Sequence, residues 1–173
     1  MIPIFAITGY AKTGKTTLIL EILQALQAKG YRVAVIKHDP LDHGEVDRQG
    51  SDTANFWEVG CKTVALSSPS RLVIFRRVEK DTAPEQIVPL CGDVDCVLLE
   101  GYKGWDYPKI VIWSGQKEIF KERSPELLAV IYNKGDEKEI LEARKQNSKI
   151  PVLPREDLPG IITLLEKNLL QNR

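Results

Sequence analysis

Cysteine is scarce and poorly placed for its structural uses. The chain has three, Cys61, Cys91 and Cys96. Their spacing is not that of a metal site, and an odd count argues against a disulfide framework. Both features fit a reducing cytosol. Net charge is missing as well: 24 basic residues are balanced by 24 acidic ones. Without a broad basic field, nucleic acid is not the expected partner. No apolar run is long enough to span a bilayer. Residues 2–8 form a short apolar opening with no basic segment before it, so neither a signal peptide nor a membrane span is expected. Histidine is limited to His38 and His43 in one polar stretch. With no third convincing ligand they make a weak metal site. No internal repeat or low-complexity tract is present.

What the chain does have is Gly9-Tyr-Ala-Lys-Thr-Gly-Lys-Thr-Thr17. Read as Gly9-x4-Gly14-Lys15-Thr16, it matches the phosphate-binding loop pattern. Residues 4–8 before it are of strand type, and residues 17–29 after it have a helical period. Gly9 and Gly14 allow turns that a Cβ would obstruct. The amides of the loop, Lys12 and Thr13 included, then face a polyphosphate, and the helix N-terminus adds its partial positive charge. Lys15 reaches the β- and γ-phosphates, the Thr16 hydroxyl takes a place on Mg²⁺, and Thr17 lies near the α-phosphate. The bland alternative is a glycine-rich turn before an ordinary helix.

The rest of the chain alternates strands and helices. Leu18, Ile19, Ile22, Leu23 and Leu26 form the apolar stripe of the first helix, and Gly30 ends it. Residues 31–36 read as a strand apolar enough to be buried on both faces. From Lys37 to about Gly50 the sequence is polar and dense in ionisable groups, including Asp39, Asp42, His43, Glu45, Asp47 and Arg48. It is either a switch-like segment, with carboxylates near Mg²⁺ and Lys37 near phosphate, or a solvated surface loop. Ser51 caps a helix that runs to about Val59 and stops at Gly60. Residues 62–66 and 72–76 are strands, and 84–90 a short helix. Residues 95–100 are an apolar strand ending in Glu100, the arrangement that delivers a carboxylate to the metal side of a phosphate loop. Gly101 lets the chain turn there. Trp105, Tyr107 and Trp113 are either core or an exposed aromatic face, with core favoured.

Residues 127–132 form a further buried strand that runs into Asn133-Lys134-Gly135-Asp136. This matches the N-K-x-D element of guanine-nucleotide-binding proteins. The aspartate accepts from the guanine N1–H and N2 amine, which adenine does not offer, while Asn133 and Lys134 support the loop. The alternative is a polar turn with Asp136 as helix N-cap. Helices over 137–145 and 158–170 flank a last strand at 150–153.

Four segments together resemble one family: FAITGYAKTGKTTL from residue 4, VIKHD with the following His43 and Asp47, QGSDT, and VLLEGYKGWDYPKI to about residue 112. The family is the molybdopterin-guanine dinucleotide biosynthesis protein B group, related to nickel-insertion GTPases. Its usual small Ser and Gly residues at mid-loop are replaced here by Tyr10, Ala11 and Lys12. The resemblance implies a cytoplasmic, GTP-binding homodimer with weak GTPase activity. It would assist the step in which a MobA-like guanylyltransferase joins GMP to molybdopterin. It also implies that Glu100 and Lys103 belong to the nucleotide site or its edge.

These readings predict a single α/β domain over 1–173 with the P-loop NTPase fold, a mainly parallel twisted sheet with helices on both faces. An antiparallel extension is allowed over 107–119. Lys15 and Glu100 are the candidate catalytic residues. Gly9, Lys12, Thr13, Gly14, Lys15, Thr16, Thr17, Lys37, Gly101, Lys103, Asn133, Lys134 and Asp136 are the candidates for holding GTP, and Thr16, Asp47 and Glu100 for Mg²⁺. No glutamine or arginine stands where it would obviously orient water or offset transition-state charge, which fits weak turnover. Two rivals remain open: a small-molecule kinase, with Arg71, Arg76 and Arg77 as the nearest thing to a lid, and an adapter that keeps nucleotide without turnover.

Overall fold

The computed structural model describes residues 1–42, 44, 47–120, 126–145 and 149–171. His43 and Glu45 lie outside them. The described chain divides into two compact units, one of residues 1–38 and 88–173, the other of residues 39–87.

The larger unit is a six-stranded sheet in the order β2-β5-β1-β6-β7-β8. Its strands are β1 (Ile4–Thr8), β2 (Val33–Lys37), β5 (Cys96–Glu100), β6 (Lys109–Ile112), β7 (Leu127–Tyr132) and β8 (Val152–Pro154). Every pairing is parallel. The fold is the α/β P-loop NTPase fold. Apolar residues at alternate positions point to one face. There Phe5, Ile7, Cys96, Leu98, Ile110, Ile112, Ala129 and Ile131 pack under two helices, α1 (Lys15–Ala28) and α5 (Leu158–Gln171). The α1 stripe of Leu18, Ile22 and Leu26 is buried there, as its spacing predicts. On the opposite face a smaller core joins Val130 to Ile140 and Ala143 of α4 (Glu137–Arg144), with Trp113 and Phe120.

Two expectations are corrected. Residues 109–112 are not an antiparallel extension: β6 is parallel and lies inside the sheet, between β1 and β7. Its length and apolar alternation suit either direction, and only its partners decide. Strand β2 is not buried on both faces. It lies at the sheet edge, paired with β5 alone, and Val35 and Lys37 are exposed. Of the close-set aromatics, Tyr107 and Trp113 are buried.

The smaller unit holds α2 (Asp52–Glu58) and a separate antiparallel hairpin of β3 (Thr63–Ser68) and β4 (Arg71–Arg76), followed by one turn, α3 (Pro84–Ile87). Ser51 caps α2 by accepting from the Ala54 amide at 3.1 Å, as its position predicts. The Arg77 guanidinium lies 4.0 Å from the Trp57 ring centre and donates to the Trp57 and Cys61 carbonyls. It is committed to this packing, which weakens its use as a lid arginine.

Candidate functional site

The loop between β1 and α1 leaves the C-terminal edge of the sheet, where open α/β folds bind ligands. Gly9 has φ +147°, and a Cβ there would come within 3.1 Å of Thr13 Oγ1 and 3.2 Å of the Ile112 carbonyl. Glycine is required at that point on both conformational and steric grounds. Gly14, at φ +85°, begins the helix, and its carbonyl accepts from Leu18 N at 3.0 Å. Lys12 holds a left-handed backbone, φ 62°, without being glycine. Such conformations cost of order 1 kcal/mol and gather at functional loops. The Lys15 ammonium folds back over the loop and donates to the Gly9 carbonyl at 3.2 Å and the Tyr10 carbonyl at 2.6 Å. Thr13 Oγ1 donates to the same Tyr10 carbonyl at 2.9 Å.

Parallel pairing puts Ile7 opposite Glu100, so β5 ends beside the start of α1. Thr16 Oγ1 there donates to Glu100 Oε1 at 2.8 Å, across 84 positions of sequence. A hydroxyl and a carboxylate at one point are hard oxygen donors of the kind Mg²⁺ accepts while keeping several waters. Lys37 is the register partner of Glu100 on β2, and the His38 amide donates to the Glu100 carbonyl. Gly101, at φ +95°, passes so close to His38 that a Cβ would meet His38 Cβ at 3.3 Å. Tyr102 follows, also left-handed, with its ring stacked on His38 at 4.5 Å. Lys103 Nζ lies 4.8 Å from the Tyr10 ring centre, which returns β5's loop to the glycine loop.

Residues 133–136 form a turn at the end of β7, closed by Asp136 N donating to the Asn133 carbonyl at 3.1 Å. Asp136 occupies the N-cap position of α4, yet its side chain makes no capping bond. Glu137 serves the turn instead. Its carboxylate accepts from the Gly135 amide at 3.0 Å, and its own amide and that of Gly135 hold its pKa below the ordinary value.

Asp47 lies in the smaller unit. Its carboxylate accepts from the Thr53 and Ser51 hydroxyls and the Arg48 amide, and these bonds, the Thr53 one first, lower its pKa. Among the described residues no cluster of three His, Cys, Asp or Glu forms a metal cage.

One residue at the site was not foreseen. Arg155 follows β8, and its backbone amide donates to the Tyr132 carbonyl at 2.8 Å. Its guanidinium donates to the Gly14 carbonyl at 3.4 Å and to both carboxylate oxygens of Glu21 at 3.1 Å. One residue therefore ties the start of α1, through its side chain, to the strand end that leads into Asn133, through its backbone. Its place at the C-terminal edge of a strand was the available signal.

The family model for molybdopterin guanine dinucleotide synthesis protein B, MobB, matches residues 4–133. The chain belongs to that family. A Bacillus subtilis relative, described as a probable molybdopterin-guanine dinucleotide biosynthesis adapter protein, is 30% identical over 137 residues, covering 76% of this chain and 77% of its own. A crystal structure of Bacillus subtilis MobB superposes with a TM-score of 0.74 at 25% identity, over 96% of this chain and 97% of that one. The HypB structure from Helicobacter pylori shares the fold, with a TM-score of 0.51 at 16% identity over 99% and 88% of the two chains. No described helix is long and apolar enough to cross a membrane.

Proposed function

We propose that this MobB-family chain is a GTP-binding adapter in molybdopterin guanine dinucleotide formation, with weak GTPase activity. The Thr16–Glu100 bond carries the reading. A helix-start hydroxyl and a strand-end acid meet beside a glycine loop whose lysine is already turned inward, which is the layout a metal-bound polyphosphate requires.

In this reading Lys15 exchanges the Gly9 and Tyr10 carbonyls for β- and γ-phosphate oxygens. The amides of Gly9, Lys12, Thr13 and Gly14 line the phosphates, and Thr17 adds a donor near the α-phosphate. Thr16 and Glu100 would hold Mg²⁺, and the ion would offset polyphosphate charge. Lys37, Gly101 and Lys103 border the terminal phosphate, and Glu100 orients water for slow hydrolysis. Asn133, Lys134 and Asp136 read guanine. The uncommitted Asp136 carboxylate favours that role over capping. The partner is the guanylyltransferase that joins GMP to molybdopterin, in the cytoplasm. The chain acts as one domain of residues 1–173 and as a homodimer, a role supported by the exposed Leu66, Leu72 and Ile74 of the hairpin.

Calorimetric titration of nucleotide-free protein with Mg–GTP tests this. The wild type should bind saturably and Lys15→Ala should show no measurable heat of binding. Unchanged affinity in Lys15→Ala would refute the phosphate-loop reading.

A further inference from the structure

Strands inside a parallel sheet are normally covered on both faces, because helical crossovers lie over them. Strand β6 departs from this. Ile110 and Ile112 are buried under α1 and α5, whereas Lys109 and Val111, on the other face, are only partly covered. The connections on either side of β6 explain the gap. No helix lies between β5 and β6, and the described part of the β6–β7 connection holds only a 3-10 turn, Lys117–Phe120. A cleft of about 540 Å³ remains on that face. This is within the range of small-molecule sites.

The lining of the cleft is selective. Val111, Ile119 and Leu127 give an apolar floor, and Gly9 and Tyr10 of the glycine loop form one wall. Lys103 and Lys109 both line it. Lys109 Nζ donates to the Trp105 carbonyl at 2.8 Å, and Lys103 lies against the Tyr10 ring. Neither ammonium is ion-paired among the described residues. Among the described residues of the lining, Glu118 is the one carboxylate against the two lysines. The Gln116 amide is held by two bonds of 2.7 Å, one from the Ser114 amide and one to its hydroxyl. The β6–β7 register shifts between Lys109 and Ile110, opposite Leu127 and Ala129. Irregularities of this kind gather beside functional sites, where they re-aim side chains. Here the shift falls next to the Lys109–Leu127 pair, both members of which line the cleft.

We infer that this cleft is a second ligand site, adjoining the glycine loop, for a planar heterocyclic small molecule bearing a phosphate or carboxylate. The ring lies on Val111, Ile119 and Leu127, and Lys103 and Lys109 meet the anion. The inference deepens the adapter reading by giving the protein a small molecule to hold beside its nucleotide. It rests on that reading for the choice of a pterin ring, and it shares with the nucleotide site the Gly9–Tyr10 wall and Lys103, whereas Lys109 and Val111 belong to the cleft alone.

The probe is pterin-6-carboxylate, followed by its own fluorescence on titration with the full chain. Wild type should quench it saturably, also with excess Mg–GTP present. Lys109→Met and the cleft-filling Val111→Phe should each weaken the probe by about tenfold or more, the loss of one charge-assisted contact or of its space. Both variants should keep GTP affinity within about twofold, well under the 1.4 kcal/mol of a tenfold change. That retained affinity also reports that they fold. Lys15→Ala should keep the probe while losing GTP, so failure of the nucleotide reading and failure of this one look different. No saturable binding to wild type would overturn the inference. So would equal probe affinity in wild type and both variants, or full displacement by GTP at its own dissociation constant.

Discussion

The two faces of the one sheet have different fates. Under α1 and α5, every inward residue of β6 is sealed: Ile110 and Ile112 have no exposed surface. On the reverse face the same strand presents Lys109 and Val111 to a cleft. Side-chain alternation alone sends neighbours in opposite directions. The difference lies in what covers them, and that is set by connections: a helix follows β1, β7 and β8, but none follows β5. One face is packed along its length, whereas the other is covered at β7 by the Val130–Ile140 core and left open at β6.

The largest expected effect breaks the packed face. Ile110→Ala should destabilise the protein by about 2–5 kcal/mol through lost burial and a residual cavity. Val111→Ala, its neighbour on the open face, should cost only about 1 kcal/mol. Urea unfolding of both variants measures the contrast, and equal losses would erase the distinction between the faces.

Cys96 sharpens it by titration. It belongs to the packed face, and burial, with Asp95 adding a smaller push, raises its thiol to about 11 from the ordinary 9.0. The unfolded chain therefore releases this proton first as pH rises. Stability should be unaffected below about 9 and fall between 9 and 11, by up to about 1.4 kcal/mol per unit. Thiol-reagent kinetics give the parallel readout: exposed Cys61 reacts first, and Cys96 only on unfolding.

Arg155→Ala tests the edge of the packed face, where the guanidinium joins Glu21 to the Gly14 carbonyl. Its expected cost is smaller, about 1 kcal/mol, and chemical denaturation would show it. A loss several times larger would mean that the arginine anchors the whole helix rather than its first turn.

Much of this was legible in the sequence. β1 and β7 run over the predicted residues, because each is a short apolar block bounded by glycine or polar turns. Glu100 was expected near Thr16, and parallel pairing of β1 with β5 brings the two together. What was not legible depends on partners distant in sequence. The direction of β6 follows from its neighbours. The edge position of β2 leaves Val35 exposed even though its sequence is apolar. The Asp136 side chain makes no capping bond, and it is the Glu137 carboxylate that turns back to the Gly135 amide. Arg155 is a lone arginine in sequence, and only the fold carries it to Gly14 across 141 positions.

The central claim is that the edge joining these faces binds guanine nucleotide. Calorimetry of the nucleotide-free protein with Mg–GTP and then Mg–ATP, for wild type and Asp136→Ala, tests it most directly. The account predicts a preference for GTP of about tenfold or more, roughly 1.4 kcal/mol, that disappears in Asp136→Ala. Equal affinity for the two nucleotides, unaltered by the substitution, would contradict it and reduce residues 133–136 to a turn.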